Sequence, residues 1–282
     1  MNYIKFSFNN SFFNIKDTLD CGQIFRYVPF NNGYKVFSLD KCAYCYEQGD
    51  NVFIECLEAD IEYFYHFFDL GRDYSKIYEG AMLSGVEILK ISASLGKGVR
   101  ILNQDAVETL FSFIISQNNN IPRIKGIIER LCREIGEKRD FLGECYYSFP
   151  SPQKMAQMPL EFFKGIGLGY RAEYVRNLAL NICAGLDVCA FSSLDTKALK
   201  GRLTALYGVG RKVCDCVSLF GFHRSDSFPV DTWIEKVYKQ DFNGELQNRD
   251  KIADWFVEQF GANAGYYQQY LFYYKRSLQL KD

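Results

Sequence analysis

The chain has 282 residues, with 33 lysines and arginines against 34 aspartates and glutamates and a formal net charge of −1. At 48% hydrophobic and 24% charged residues it has the composition of a soluble globular protein, which excludes disordered, collagen-like and disulfide-scaffold classes. The near-neutral charge excludes a globally basic polyanion binder but leaves a local basic face open.

The N-terminus alternates, as in Tyr3-Ile4-Lys5-Phe6-Ser7-Phe8, and so does Tyr34 to Leu39. Asn31-Asn32-Gly33 and Gly49-Asp50-Asn51 are turn signals, so residues 1 to about 58 read as strands of a small antiparallel sheet. From about residue 59 the period becomes helical, with Ile61, Phe64, Tyr65 and Phe68 on one face. Leu110, Phe113, Ile114 and Gln117 share the next face. Pro122 suits the first turn of a helix carrying Ile124, Ile127, Ile128 and Leu131. A break runs from Phe149 to Pro152. The pattern predicts an α+β protein: a β-rich N-terminal domain over 1–100 and a mainly helical region over 101–282, its last helix packing back on the N-terminal part.

No run of about 18 apolar residues is present, so no membrane span is expected, and the N-terminus lacks the apolar core of a signal peptide. Ten cysteines then read as reduced thiols. Cys42-x-x-Cys45 begins a zinc pattern, but no second pair follows at ligand spacing, and no cysteine follows Cys216 as an iron–sulfur cluster would need. Neither a metal nor an organic cofactor is expected. Gly165, Gly167 and Gly169 superficially suggest a dinucleotide loop, but the residues before them read as helix rather than strand.

The most informative stretch runs from Asp195 to Tyr238. Asp195 suits the cap of a helix carrying Leu199, Leu203 and Leu206. Gly208-Val209-Gly210 makes a tight turn, and a second helix follows with Val213, Val217 and Phe220 inward. Amides at the start of that second helix favour an anion such as a DNA phosphate; an ordinary helical hairpin reads equally well. Lys212 sits in its first turn, where a cation opposes the helix dipole and is an odd choice for stability alone. Asp231, after Phe228-Pro229-Val230, suits an N-cap, and a capping carboxylate is also held rigidly enough for catalysis.

Leu206 to Lys212 followed by Pro229-Val230-Asp231 resembles the helix-hairpin-helix signature of base-excision DNA glycosylases, the lysine marking members that also cleave the strand. Asp20 to Arg26, Ser112 to Ile121, Gly167 to Ala172 and Lys212 to Cys216 further resemble 8-oxoguanine DNA glycosylases of the eukaryotic type, in register from about Asp20 to Phe272. The resemblance implies Lys212 as nucleophile and Asp231 as its partner. Gly208, Val209, Gly210 and Val213 would hold a phosphate. It also implies a lesion pocket of Gly22, Cys216, Gln268 and Phe272, in which the Gly22 carbonyl accepts the N7–H that guanine lacks. Asn118, Arg123, Tyr170 and Arg171 would contact the opposite cytosine and the duplex.

Two positions depart from the human-type pattern. Trp233 stands where a phosphate-contacting histidine is expected, and Arg211 adds a cation beside Lys212. The expected activity is excision of 8-oxoguanine opposite cytosine from double-stranded DNA with strand cleavage. The expected enzyme is a monomer with no membrane partner, in the cytoplasm at a bacterial nucleoid or in a eukaryotic nucleus. A non-catalytic DNA-binding module, an alkyl-purine glycosylase and an aromatic-rich structural protein are the alternatives.

Overall fold

The computed structural model describes residues 2–279, so the outermost residues of the two expected regions lie outside it. Strand β1 (Tyr3–Asn9) leads into helix α1 (Ile15–Asp20), then β2 (Tyr27–Phe30), β3 (Gly33–Ser38), β4 (Lys41–Gln48) and β5 (Asn51–Leu57). They form one antiparallel sheet in the order β1-β5-β4-β3-β2, with Phe6 opposite Ile54 and Tyr46 opposite Phe53. Alternation in β5 buries Val52, Ile54 and Cys56 on one face. That face packs on Leu19 of α1 and on Phe64 and Phe67 of α2 (Ile61–Phe67). Helix α1 corrects the reading of this whole segment as strands: Asn14 accepts the Asp17 amide at 2.8 Å and caps a single short helix that periodicity does not reveal.

Helices α3 (Tyr74–Leu83), α4 (Glu87–Leu95), α5 (Ala106–Ser116) and α6 (Ile121–Ile135) follow. The chain then makes a hairpin of β6 (Lys138–Phe141) and β7 (Glu144–Tyr147), which the sequence reading passed over. Leu142 (φ 51°) and Gly143 (φ 76°) form its two-residue turn. The hairpin covers the outer face of the large sheet: Phe141 meets Tyr3, and Tyr146 stacks on Phe37. Strand alternation puts Cys45 in the inner core and Cys42 under this hairpin, so the pair cannot share a metal. All ten cysteines are free thiols.

The remaining chain is helical: α7 (Pro152–Gln157), α8 (Leu160–Gly165), α9 (Arg171–Cys183), α10 (Thr196–Thr204), α11 (Arg211–Phe220), α12 (Thr232–Asp241), α13 (Arg249–Phe260) and α14 (Ala264–Gln279). A helix precedes the glycines at 165, 167 and 169, which removes the dinucleotide-loop reading. Helix α14 returns to the N-terminal part: Tyr273 donates to Asp17 at 2.6 Å and Arg276 to the Asp20 carbonyl at 2.6 Å. Among the described residues no helix is long and apolar enough to cross a membrane.

Candidate active site

Helices α10 and α11 meet at the predicted hairpin. Asp195 accepts the Ala198 amide at 2.7 Å and starts α10. Gly208 has φ +84°, and a Cβ there would lie 2.3 Å from the Tyr174 ring, so both conformation and space demand glycine. Its carbonyl accepts Gln117 Nε2 at 2.9 Å. Val209 is buried and anchors the turn. Gly210 is the N-cap of α11, and the space where its Cβ would stand is open, so backbone amides at this end are approachable from outside.

Arg211 does not contribute a free cation beside Lys212. It pairs with Asp215 at 2.7 Å and Asp254 at 2.7 Å, while Lys200 pairs with the other Asp215 oxygen at 2.8 Å. The buried Asp215 thus clamps α10 to α11 across the hairpin.

Lys212 leaves the first turn of α11 towards a cavity of about 710 Å³, its Nζ 5.5 Å from the Phe113 ring centre. Asp231 lines the same cavity and caps α12: Oδ1 accepts the Trp233 and Ile234 amides at 2.9 and 3.0 Å, which leaves Oδ2 outside the cap. Capping and an orienting role are therefore compatible in one carboxylate. Trp233 is half-buried in the same wall, and Lys236 Nζ lies 4.9 Å over its ring, returning a cation to that place.

Behind Lys212 the cavity continues into a slot of about 50 Å³ lined by Gly22, Cys216, Gln268 and Phe272. Gly22 has φ +83°, and a Cβ there would sit 3.2 Å from the Phe272 ring, so the ring lies against the backbone. A slot of this size holds one or two waters, so it must widen to take a base. Burial pushes the Cys216 thiol up to about 11, against the pull of Lys212, so it stays neutral at pH 7. Gln268 donates to the Pro229 carbonyl at 3.2 Å, and its Oε1 has no partner among the described residues. Gln269, absent from the sequence reading, lines the slot as well; being one position from Gln268, it carries no periodic signal of its own.

Asn118 and Tyr170 also line the cavity. Asn118 has φ 45° just past α5, so it is a helix-terminating residue that also stands exposed at the cavity mouth. Tyr170 is 52% exposed, with the Arg171 guanidinium 4.5 Å over its ring. Arg171 does not lie on the surface. It is 4% exposed and donates to the Gln117 carbonyl at 2.7 Å and the Asn118 carbonyl at 2.9 Å. Arg123 is exposed on the first turn of α6, beside the cavity rather than in its wall. Arg249 and Arg276, not singled out from sequence, also line the cavity, Arg249 paired with Glu235 at 2.7 Å.

The family model described as "8-oxoguanine DNA glycosylase, N-terminal domain" matches residues 5–110. That of the "HhH-GPD superfamily base excision DNA repair protein" matches residues 111–258. The chain belongs to the 8-oxoguanine DNA glycosylases of the helix-hairpin-helix superfamily. A "Probable N-glycosylase/DNA lyase" of Methanothermobacter thermautotrophicus is 30% identical over 80% of this chain and 77% of its own length. The structure of MBOgg1 in complex with a low-affinity DNA ligand superposes with TM-score 0.92 at 33% identity, covering 99% of this chain and all of that one. The Clostridium acetobutylicum 8-oxoguanine glycosylase/lyase in complex with DNA containing cytosine opposite 8-oxoguanine gives 0.91 at 36% identity, over 96% and 93% of the two chains.

Proposed function

We propose that this glycosylase/lyase excises 8-oxoguanine from duplex DNA, preferring cytosine opposite, through a Schiff base on Lys212. The observation that carries the reading is that Lys212 and the Asp231 cap line one cavity and also line the slot it shares with Gly22, Cys216, Gln268 and Phe272. The Gly210–Val213 backbone binds a phosphate, which brings the sugar over Lys212. The lesion leaves the stack, because C1′ is inaccessible within it. Lys212 Nζ attacks C1′, the bond to N9 breaks and the base leaves with the electron pair and a proton. Asp231 stabilises the positive charge developing on the sugar. The nitrogen lone pair then opens the sugar ring at the C1′–O4′ bond, O4′ takes a proton, and a protonated imine forms on Lys212; this imine acidifies C2′, and loss of that proton expels the 3′ phosphate.

On the far side Asn118 fills the vacated space and Tyr170 stacks beside the orphaned cytosine. Arg123 offers donors to the acceptor edge of that base, and Arg171 joins it when the Gln117 and Asn118 carbonyls release its guanidinium as Asn118 enters the duplex. The enzyme acts where chromosomal DNA is held, in a nucleoid or nucleus.

Borohydride trapping on a duplex with one 8-oxoguanine opposite cytosine tests this. Wild type gives a covalent band. Lys212→Gln gives none while still binding the lesion duplex. A band that persists in Lys212→Gln refutes the nucleophile, and base release without any band in wild type refutes the Schiff base.

A further inference from the structure

Gln269 is 3% exposed, lines the slot behind Lys212, and neither its Oε1 nor its Nε2 has a hydrogen-bond partner among the described residues, so the amide has a donor as well as an acceptor unused. A buried amide left without a partner costs about 1–3 kcal/mol. A leucine or methionine would remove that cost, so the glutamine makes sense only if something else in the slot meets it. Its orientation follows from α14. Tyr273 and Arg276, four and seven positions on, bond to Asp17 and to the Asp20 carbonyl. Gln269 shares their face and therefore looks towards α1 and Gly22. Gln268, about 100° round the helix, bonds to the Pro229 carbonyl. The slot thus has an amide at each side, with Phe272 between them.

We propose that Gln269 is a second specificity-determining amide of the lesion slot, bonding to the C8 oxygen of the flipped oxidised purine beside Gly22 while Gln268 takes the opposite edge. The proposal rests on the lesion-slot reading above. Gly22 offers only a carbonyl and so reads N7–H, whereas Gln269 Nε2 supplies the donor that the C8 carbonyl oxygen needs. The two contacts together distinguish both atoms in which the lesion differs from guanine.

The test uses the full chain with Gln269→Met, which keeps side-chain length without the amide, Gln269→Leu as a second variant and Gln268→Met as a comparison. Single-turnover excision of 8-oxoguanine is measured beside cleavage of a preformed abasic site, which has no base to read. Gln269→Met is expected to slow excision about tenfold or more with abasic-site cleavage within twofold of wild type. The deficit shrinks on 8-thioguanine, whose sulfur is a poor acceptor. Unchanged excision, or equal loss in both assays, overturns the proposal. If Gln268→Met slows excision and Gln269→Met does not, only the role of Gln269 falls; if neither does, the lesion-slot reading falls with it.

Discussion

The joint between the sheet and the helices and the slot behind Lys212 both bury glutamines, but they treat them differently. At the joint Gln23 is 0% exposed, and its amide is used at both ends. Nε2 donates to the Thr18 and Arg100 carbonyls, and Oε1 accepts the Leu102 amide at 2.8 Å. Nearby, Arg26 pairs with Glu108 at 3.1 Å and donates to the Tyr147 carbonyl, while Arg100 donates to the Phe12 and Asp69 carbonyls. In the slot Gln268 and Gln269 are almost as buried, yet each keeps an unpartnered oxygen. Satisfied buried amides fix a fold, whereas the two slot amides are, on the reading proposed above, left for the flipped base.

The sharpest way to break this contrast is to delete one amide of each kind. Gln23→Leu strands the Leu102 amide and two carbonyls and should lower unfolding free energy by roughly 3 kcal/mol or more. Gln268→Leu should stay within about 1 kcal/mol of wild type in the same denaturant titration while losing excision. Equal destabilisation would mean that the slot is ordinary core.

Arg171 lies between the two kinds, since its donors are satisfied by carbonyls of the very loop that carries Asn118. Arg171→Ala should reduce the preference for cytosine over the other opposite bases by about tenfold, in line with one good base contact. Single-turnover rates opposite all four bases check this, and an unchanged ranking removes the role.

The smallest effect concerns His223, which packs by Tyr266 and 3.5 Å from Asp69. Burial lowers its pKa to about 4 from an ordinary 6.5. The folded state therefore holds it neutral, and that contribution is complete above pH 6.5 and is lost as pH falls towards 4. At pH 5.5 the loss is about 1 kcal/mol. His223 sits at φ 51°, which asparagine tolerates, so His223→Asn should flatten the fall in melting temperature between pH 6.5 and 4.5.

The candidate site was legible in sequence because it rides on short local devices. A tight glycine turn, a lysine in the wrong place for a dipole and a capping aspartate each leave a mark within a few residues. The sheet and the long helices were legible through their periods. Helix α1 and the β6–β7 hairpin were not, since six and four residues are too few to establish a period. The pairing of Arg211, the burial of Arg171 and the place of Gln269 depend on residues far away in the chain, such as Asp254 and Gln117, and no local pattern carries them.

The β6–β7 hairpin has a bearing on how the protein is made. It is drawn from the middle of the helical region, yet it roofs the aromatic outer face of the N-terminal sheet, and α14 closes on α1 only at the end. A nascent chain that has emerged only through β5 carries Phe30, Phe37, Tyr44 and Tyr46 on a face with no cover. Cutting the gene between the two regions should yield a sheet fragment that precipitates rather than a working module, and fusions or tags belong at the termini rather than at that junction.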